Sequence, residues 1–266
     1  MRPAPPSFEA VHFHDRLLKE QIRDTFAQRF HRTPRVSLSL AVVIVVVHFG
    51  LALFEISLGA GLDALFNARA TLSLVVGGGR VARLIEDGET WRMLSCMWVH
   101  GDLAHLLLNG VALYGLGRIC EALHGPARTL FLFLVAVLGG SLLSHLGGAD
   151  LSVGASGGVF GVMGACIVFG WRYRKELPDH QRRFLLRGIA PWVPVNLLIG
   201  AVPWLRIDNL GHLGGLFAGA GLAFLLGNDV VPGRAGTSRA TRGFWLASGA
   251  LLLWAVSGWL RSLAAL

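Results

Sequence analysis

The sequence predicts an all-α polytopic membrane protein, and three observations carry that reading. The chain is 53% hydrophobic and 15% charged, with a mean hydropathy of +0.57. Several of its runs approach the ~20 apolar residues needed to cross a bilayer. Its charged residues collect between those runs. A soluble one- or two-domain protein of 266 residues does not fit this composition. The net charge of +8 therefore calls for no nucleic-acid partner, since in a membrane chain it is the placement of the charges that matters. Cys96, Cys120 and Cys166 are too few and too scattered for a disulfide framework or a Cys-rich zinc site. Neither a metal nor a cofactor is expected.

Residues 1–35 read as a cytoplasmic N-terminal segment. After a Pro-rich start, Leu18, Ile22, Phe26 and Phe30 recur every fourth residue, the period of an amphipathic helix. Either this helix lies on an anionic leaflet, or the segment is a mobile basic tail. The N-terminus lacks a short apolar core with a small-residue cleavage site, so no cleaved signal peptide is expected. The first span runs from Val36 to about Leu58 and contains His48, which lacks an evident partner and reads as structural. Residues 59–99 form neither a clean span nor a polar loop. A connection this long and this apolar is expected to fold as short helices in the membrane interface, where Trp91 and Trp98 suit the depth. Its Gly77-Gly78-Gly79 lacks the Lys-Ser/Thr of a phosphate-binding loop.

The second span covers Leu103 to about Leu123, the third Arg128 to Leu146, and the fourth Ser156 to Trp171. The fifth, Phe184 to Val202, holds Pro191 and Pro194 and should be kinked or partly opened. The sixth runs from Leu210 to Leu226. Residues 228–266 add a basic loop and a seventh span from Phe244 to about Leu260. Of the 24 Lys and Arg, the N-terminal segment and the connections after spans two, four and six hold seven, two, six and three; the opposite side holds six. This bias places the N-terminus in the cytoplasm. Spans four and six then both run inward, and Ser156 and His212, at their starts, share one depth just below the outer face.

Ser156 sits in Gly154-x-Ser156-x-Gly158, and a serine hydroxyl needs a base within hydrogen-bond reach to become a nucleophile. His212 is the base at matching depth. His105 and Asn109, four apart on span two, share a helix face. Polar groups in hydrocarbon are costly unless paired or facing a cavity. Singly, each of these side chains is more often a satisfied structural group, and the glycines suit close helix packing, as in Gly157-x-x-x-Gly161 and Gly215-x-x-x-Gly219. Together they make up a nucleophile, a base and two hydrogen-bond donors, the inventory for acyl transfer with an oxyanion site. Asp208, just ahead of His212, reads as a loop or cap residue.

In this arrangement the chain resembles the rhomboid intramembrane serine proteases. The resemblance rests on five motifs in order: Trp91-Arg92, His105-x-x-x-Asn109, Gly117-x-x-x-Glu121-x-x-x-Gly125, Gly154-x-Ser156-Gly157, and His212-x-x-Gly215-x-x-x-Gly219. It covers roughly residues 36–227 and implies a six-helix rhomboid core, to which the seventh helix is an addition. It implies a Ser156–His212 catalytic dyad without an acidic third member. It further implies an oxyanion site of Ser156 N–H, Asn109 and His105, and Phe160 stacked on the catalytic imidazole. It implies transmembrane protein substrates cut near the outer membrane boundary, in a bilayer, and leaves the oligomeric state open. The multi-pass location expected is a bacterial plasma membrane, with the active site towards the outer face.

A soluble α/β-hydrolase shares G-x-S-x-G but needs alternating strands that this chain lacks. A transporter would explain intramembrane His and Asn as a pathway, and a non-catalytic rhomboid-like client-binding protein would share the core. A serine-directed fluorophosphonate separates the enzyme from both. The prolines of span five also suggest that substrate enters between spans two and five, with Trp192 and Trp204 as candidates for closing the route.

Overall fold

A computed structural model of the chain describes residues 8–67, 71–234 and 236–264. The chain opens with α1 (Phe8–Phe30) and α2 (Arg35–Ser57), followed by a folded loop. That loop holds a 3-10 turn (Leu62–Leu65), α3 (Thr71–Val76), β1 (Arg80–Val81), α4 (Ala82–Glu86), α5 (Arg92–Ser95) and a second 3-10 turn (Cys96–Trp98). Then come α6 (Leu103–His124), α7 (Pro126–Leu146), β2 (Leu151–Ser152), α8 (Ser156–Arg172) and α9 (Asp179–Arg183). A π-type turn (Phe184–Ile189) leads to α10 (Trp192–Gly200), a 3-10 turn (Pro203–Leu205), α11 (Asn209–Leu225) and α12 (Ser238–Ala264). The protein is an all-α polytopic membrane protein. The only sheet among the described residues is the antiparallel β1–β2 pair, with Arg80 opposite Ser152 and Val81 opposite Leu151.

Among the described residues four stretches are long and apolar enough to cross a membrane: 12–57, α6, α7 and α12. The apolar helices α8 and α11 are shorter, with 17 residues each. At 1.5 Å per residue each is about 26 Å long, a little short of the ~30 Å hydrocarbon core of a bilayer. The reason the bundle can hold two short, buried helices is glycine. A Cβ on Gly219 of α11 would lie 2.3 Å from the Gly161 carbonyl of α8, and one on Gly215 would lie 2.0 Å from the Gly157 carbonyl. On the other flank, a Cβ on Gly214 would meet the Gly139 carbonyl of α7 at 2.4 Å. Backbone therefore touches backbone across α7, α8 and α11, and only small residues allow that approach.

The helix starts follow ordinary capping chemistry. Asp102 accepts from the His105 N–H at 2.8 Å and caps α6. Gly125 (φ +81) and Pro126 turn the chain tightly into α7. Glu121 of α6 caps α2 from outside: its carboxylate accepts from the Ser37 N–H at 2.7 Å and the Ser37 hydroxyl at 2.6 Å. Gly117 leaves room for that contact, since a Cβ there would fall 2.2 Å from Ser37 Oγ. The span of Glu121 and its flanking glycines thus fastens α2 to α6.

Three sequence expectations need correction. The apolar face of α1 neither lies on a leaflet nor drifts as a tail. Ile22 is fully buried, and Leu18, Phe26 and Phe30 pack against the core. Arg29 holds the helix there by donating to the Ala122 carbonyl at 2.9 Å and pairing with Asp229 at 2.6 Å. Trp91 is not an interface anchor. It is 5% exposed, and a Cβ on Gly258 of α12 would fall 2.2 Å from its ring. His48 does have a partner, with Nε2 3.4 Å from the Leu65 carbonyl.

Arg92 staples the folded loop. Its buried guanidinium donates to Glu89 at 2.6 Å and to the Val75 carbonyl at 2.7 Å, and it stacks on the Trp91 ring at 4.5 Å. The seventh helix closes the same loop from outside, where Trp259 Nε1 donates to the Val76 carbonyl at 2.8 Å. The expected break in span five takes the form of the π-type turn. It ends at Ala190 and Pro191, where the missing N–H interrupts the ladder ahead of α10.

Candidate active site

Ser156 is the first residue of α8, and no side chain caps that helix. The N–H groups of a first helical turn have no intrahelical acceptor, so they point outward beside the serine hydroxyl. Gly154, at φ +111, delivers the chain to this point. An L side chain is strained there, and its Cβ would strike the His105 imidazole at 2.7 Å. His212 lies one turn into α11, 8% exposed, with Nε2 2.9 Å from Ser156 Oγ. Two residues 56 apart in the chain thus meet because α8 and α11 run together on their glycines.

The environment of the imidazole is largely apolar. Phe160 stacks on it, with ring centroids 4.2 Å apart and an angle of 12°. Among the described residues His212 Nδ1 has no partner. A neutral ring that accepts from the hydroxyl at Nε2 carries its proton at Nδ1. The ring is held by packing rather than by a hydrogen-bonded carboxylate.

His105 and Asn109 border the strand that leads to Ser156. A Cβ built on Gly154 would lie 2.7 Å from His105 Nε2 and 3.6 Å from Asn109 Nδ2. Asn109 Nδ2 gives one hydrogen to the His105 carbonyl at 3.1 Å and has a second to offer. Beneath them sits His100, which sequence reasoning passed over. Burial first, and then the neighbouring His105, pushes its imidazole down to about 3. The neutral ring accepts from the Ala155 N–H at 3.4 Å and stands edge-on to His105, with centroids 5.0 Å apart. The Gly154 N–H in turn donates to the Cys96 carbonyl at 2.9 Å. The folded loop therefore holds the two residues that precede Ser156.

Of the remaining motif residues, Gly157, Gly215 and Gly219 form the helix contact. Trp91, Arg92 and Glu121 lie away from the pair and act on the frame that carries it. A cavity of about 20 Å³ adjoins the pair, lined in part by Ser156, His212, Cys96 and Ser141. Asp208, read from sequence as a cap, does cap α11 by accepting from the Gly211 N–H at 2.8 Å. Its links to Ser144 and Ser152 were invisible in the sequence, because an isolated serine carries no signal of its partner.

The Ser156–His212 contact thus sits within an all-α polytopic bundle. The family model for the Rhomboid domain matches residues 87–229, a little over half of the chain. The chain belongs to the rhomboid family. It is 37% identical to RHOMBOID-like protein 5 of Arabidopsis thaliana over 56% of this chain and 48% of that one. To Rhomboid protease GluP of Bacillus subtilis (strain 168) it is 37% identical, over 59% of this chain and 30% of the relative. To Rhomboid protease AarA of Providencia stuartii it is 22% identical, over 71% and 74%. The matched segments thus span about half or less of the first two relatives' lengths.

Proposed function

We propose that the protein is an intramembrane serine endopeptidase working through a Ser156–His212 dyad. The observation that carries this reading is the 2.9 Å contact between His212 Nε2 and Ser156 Oγ at the uncapped start of α8. His212 takes the hydroxyl proton as Oγ attacks the peptide carbonyl carbon. The oxyanion that forms is met by the Ser156 N–H, by Asn109 Nδ2 and by His105. Each such donor typically contributes about 10²–10³ in rate. His212 then gives its proton to the departing amine, and the C–N bond breaks. Water, deprotonated by His212, attacks the acyl-serine, and Oγ recovers its proton. The same histidine is base and then acid in each half.

The substrates would be transmembrane proteins cut near a membrane boundary, a reading supported by the apolar helices around Ser156 and by relatives named as proteases. The basic bias supports an N-terminus in the cytoplasm and a site opening to the outer face of a plasma membrane. In a chain without native cysteines, a cysteine at Gly148 should react with an impermeant reagent from outside, and one at Lys175 only after permeabilisation. The reverse order would invert the protein.

The test of the activity is cleavage of a generic transmembrane substrate by purified protein in detergent. Wild type should cleave it, and Ser156→Ala and His212→Ala should each be inactive while remaining folded. The double variant should be scarcely worse than either single one, because the pair acts as a unit. Cleavage by Ser156→Ala at the wild-type rate would dispose of the mechanism.

A further inference from the structure

Ser152 stands four residues before Ser156, and Asp208 four residues before His212. These two forerunners are bonded to each other: Ser152 Oγ donates to Asp208 Oδ2 at 2.7 Å. The same oxygen accepts from the hydroxyl of Ser144, near the end of α7. Asp208 Oδ1 is occupied by the Gly211 N–H of α11. One carboxylate therefore joins the end of α7, the strand leading into α8 and the first turn of α11.

Behind Ser144 lies Arg80, fully buried. Its Nη2 donates to Ser144 Oγ at 3.1 Å and to the Ala149 carbonyl at 2.8 Å. Arg80 is also the residue opposite Ser152 in the β1–β2 pair. A buried guanidinium is costly without a compensating negative charge. Here Ser144 relays between the two charges, accepting from Arg80 and donating to Asp208. Asp208 Oδ2 thus accepts from both serines, and Arg80 reaches it only through Ser144.

Among the described residues no carboxylate is hydrogen-bonded to His212 Nδ1. The distance between Ser156 Oγ and His212 Nε2 must then be set by where α8 and α11 begin. We propose that Asp208 is a positioning residue that sets the Ser156–His212 separation by tying Ser152 and Ser144 to the start of α11, with Arg80 as its buried counter-charge. Its consequence for rate rests on the dyad reading above; its consequence for geometry does not. Reacting groups displaced by about 1 Å lose on the order of 10²-fold in rate, so a tie at this place governs kcat rather than substrate binding.

Asp208→Ser separates the tie from the cap. Serine still caps a helix well, but its single short hydroxyl cannot accept from both Ser144 and Ser152. Asp208→Asn keeps the length and one acceptor oxygen and serves as the conservative rescue. The geometric readout is disulfide formation between Ser156→Cys and His212→Cys in a chain without native cysteines, oxidised by copper phenanthroline in detergent. Asp208→Ser should slow that cross-link about tenfold or more, and Asp208→Asn about threefold or less. In chains with the intact pair, Asp208→Ser should lower kcat and the rate of fluorophosphonate labelling together, about 10–100-fold, with KM unchanged. An unaltered cross-linking rate in Asp208→Ser would leave Asp208 as a helix cap only and overturn the tie. Should Asp208→Ser fail to insert, Ser152→Ala cuts the link while sparing the cap, and it carries the same expectation and the same refutation. A wild-type protein that neither cleaves nor labels would defeat the protease reading, while the cross-link still decides the tie.

Discussion

The bundle formed by α7, α8 and α11 and the helix α10 are built to opposite specifications. In the first, glycines bring backbones into contact, and most of α8 is buried. In the second, no residue from Trp192 to Gly200 is buried, and the chain before it is a π-type turn broken at Pro191. A polar tie to the neighbouring helix is the Asn209 side chain, whose Nδ2 donates to the Leu197 carbonyl at 3.0 Å. The difference separates two tasks. Holding a hydroxyl and an imidazole at bonding distance requires packing that does not yield. Admitting a helix from the bilayer requires an element of low local stability. Under the proposed function, α8 and α11 would meet the first requirement and α10 the second.

The largest effect should come from making one change in both regions. Gly219→Ala puts a methyl group 2.3 Å from the Gly161 carbonyl, where backbone would have to move. It should destabilise the protein by about 1–3 kcal/mol or more and lower activity with it. Gly188→Ala, in the turn before α10, meets nothing nearer than Phe184 at 3.4 Å. It should alter stability by less than about 1 kcal/mol. Thermal unfolding in detergent compares the two, and equal losses would erase the contrast.

A smaller effect is expected from loosening α10 further. Asn209→Ala removes a hydrogen bond worth about 0.5–1.5 kcal/mol. If movement of α10 limits access, cleavage of a transmembrane substrate should speed up about two- to tenfold. Labelling by a small water-soluble fluorophosphonate should hardly change. Acceleration of both would point to a general loosening instead. The smallest effect belongs to Trp192. It is 59% exposed and Trp204, the other bulky residue suggested for the route between α6 and α10, is 80% exposed. Trp192→Ala should change cleavage less than twofold, roughly what a surface substitution allows. A large acceleration would restore it as a gate residue.

How legible the molecule was in its sequence depends on the range of the force involved. Hydropathy and charge bias act over whole segments, and they placed Ser156 and His212 at one depth before any contact was known. The spans of α2, α6, α7, α8 and α11 fall within a few residues of the apolar runs for the same reason. Contacts that depend on a single side-chain reach were not legible. Nothing about Ser144 or Ser152 marks them as partners of Asp208. The fate of Trp91 was hidden as well, because its cover, Gly258, is far along the chain.

That last separation has a consequence in time as well as in space. Trp91 and Val76 are covered by Gly258 and Trp259 of α12. During synthesis α12 emerges after α11. Until it does, the folded loop keeps one flank open, while α7, α8 and α11 already have every glycine they need to close. Assembly is thereby ordered by the chain itself: Ser156 and His212 can meet before α12 covers the loop that holds Gly154 in place.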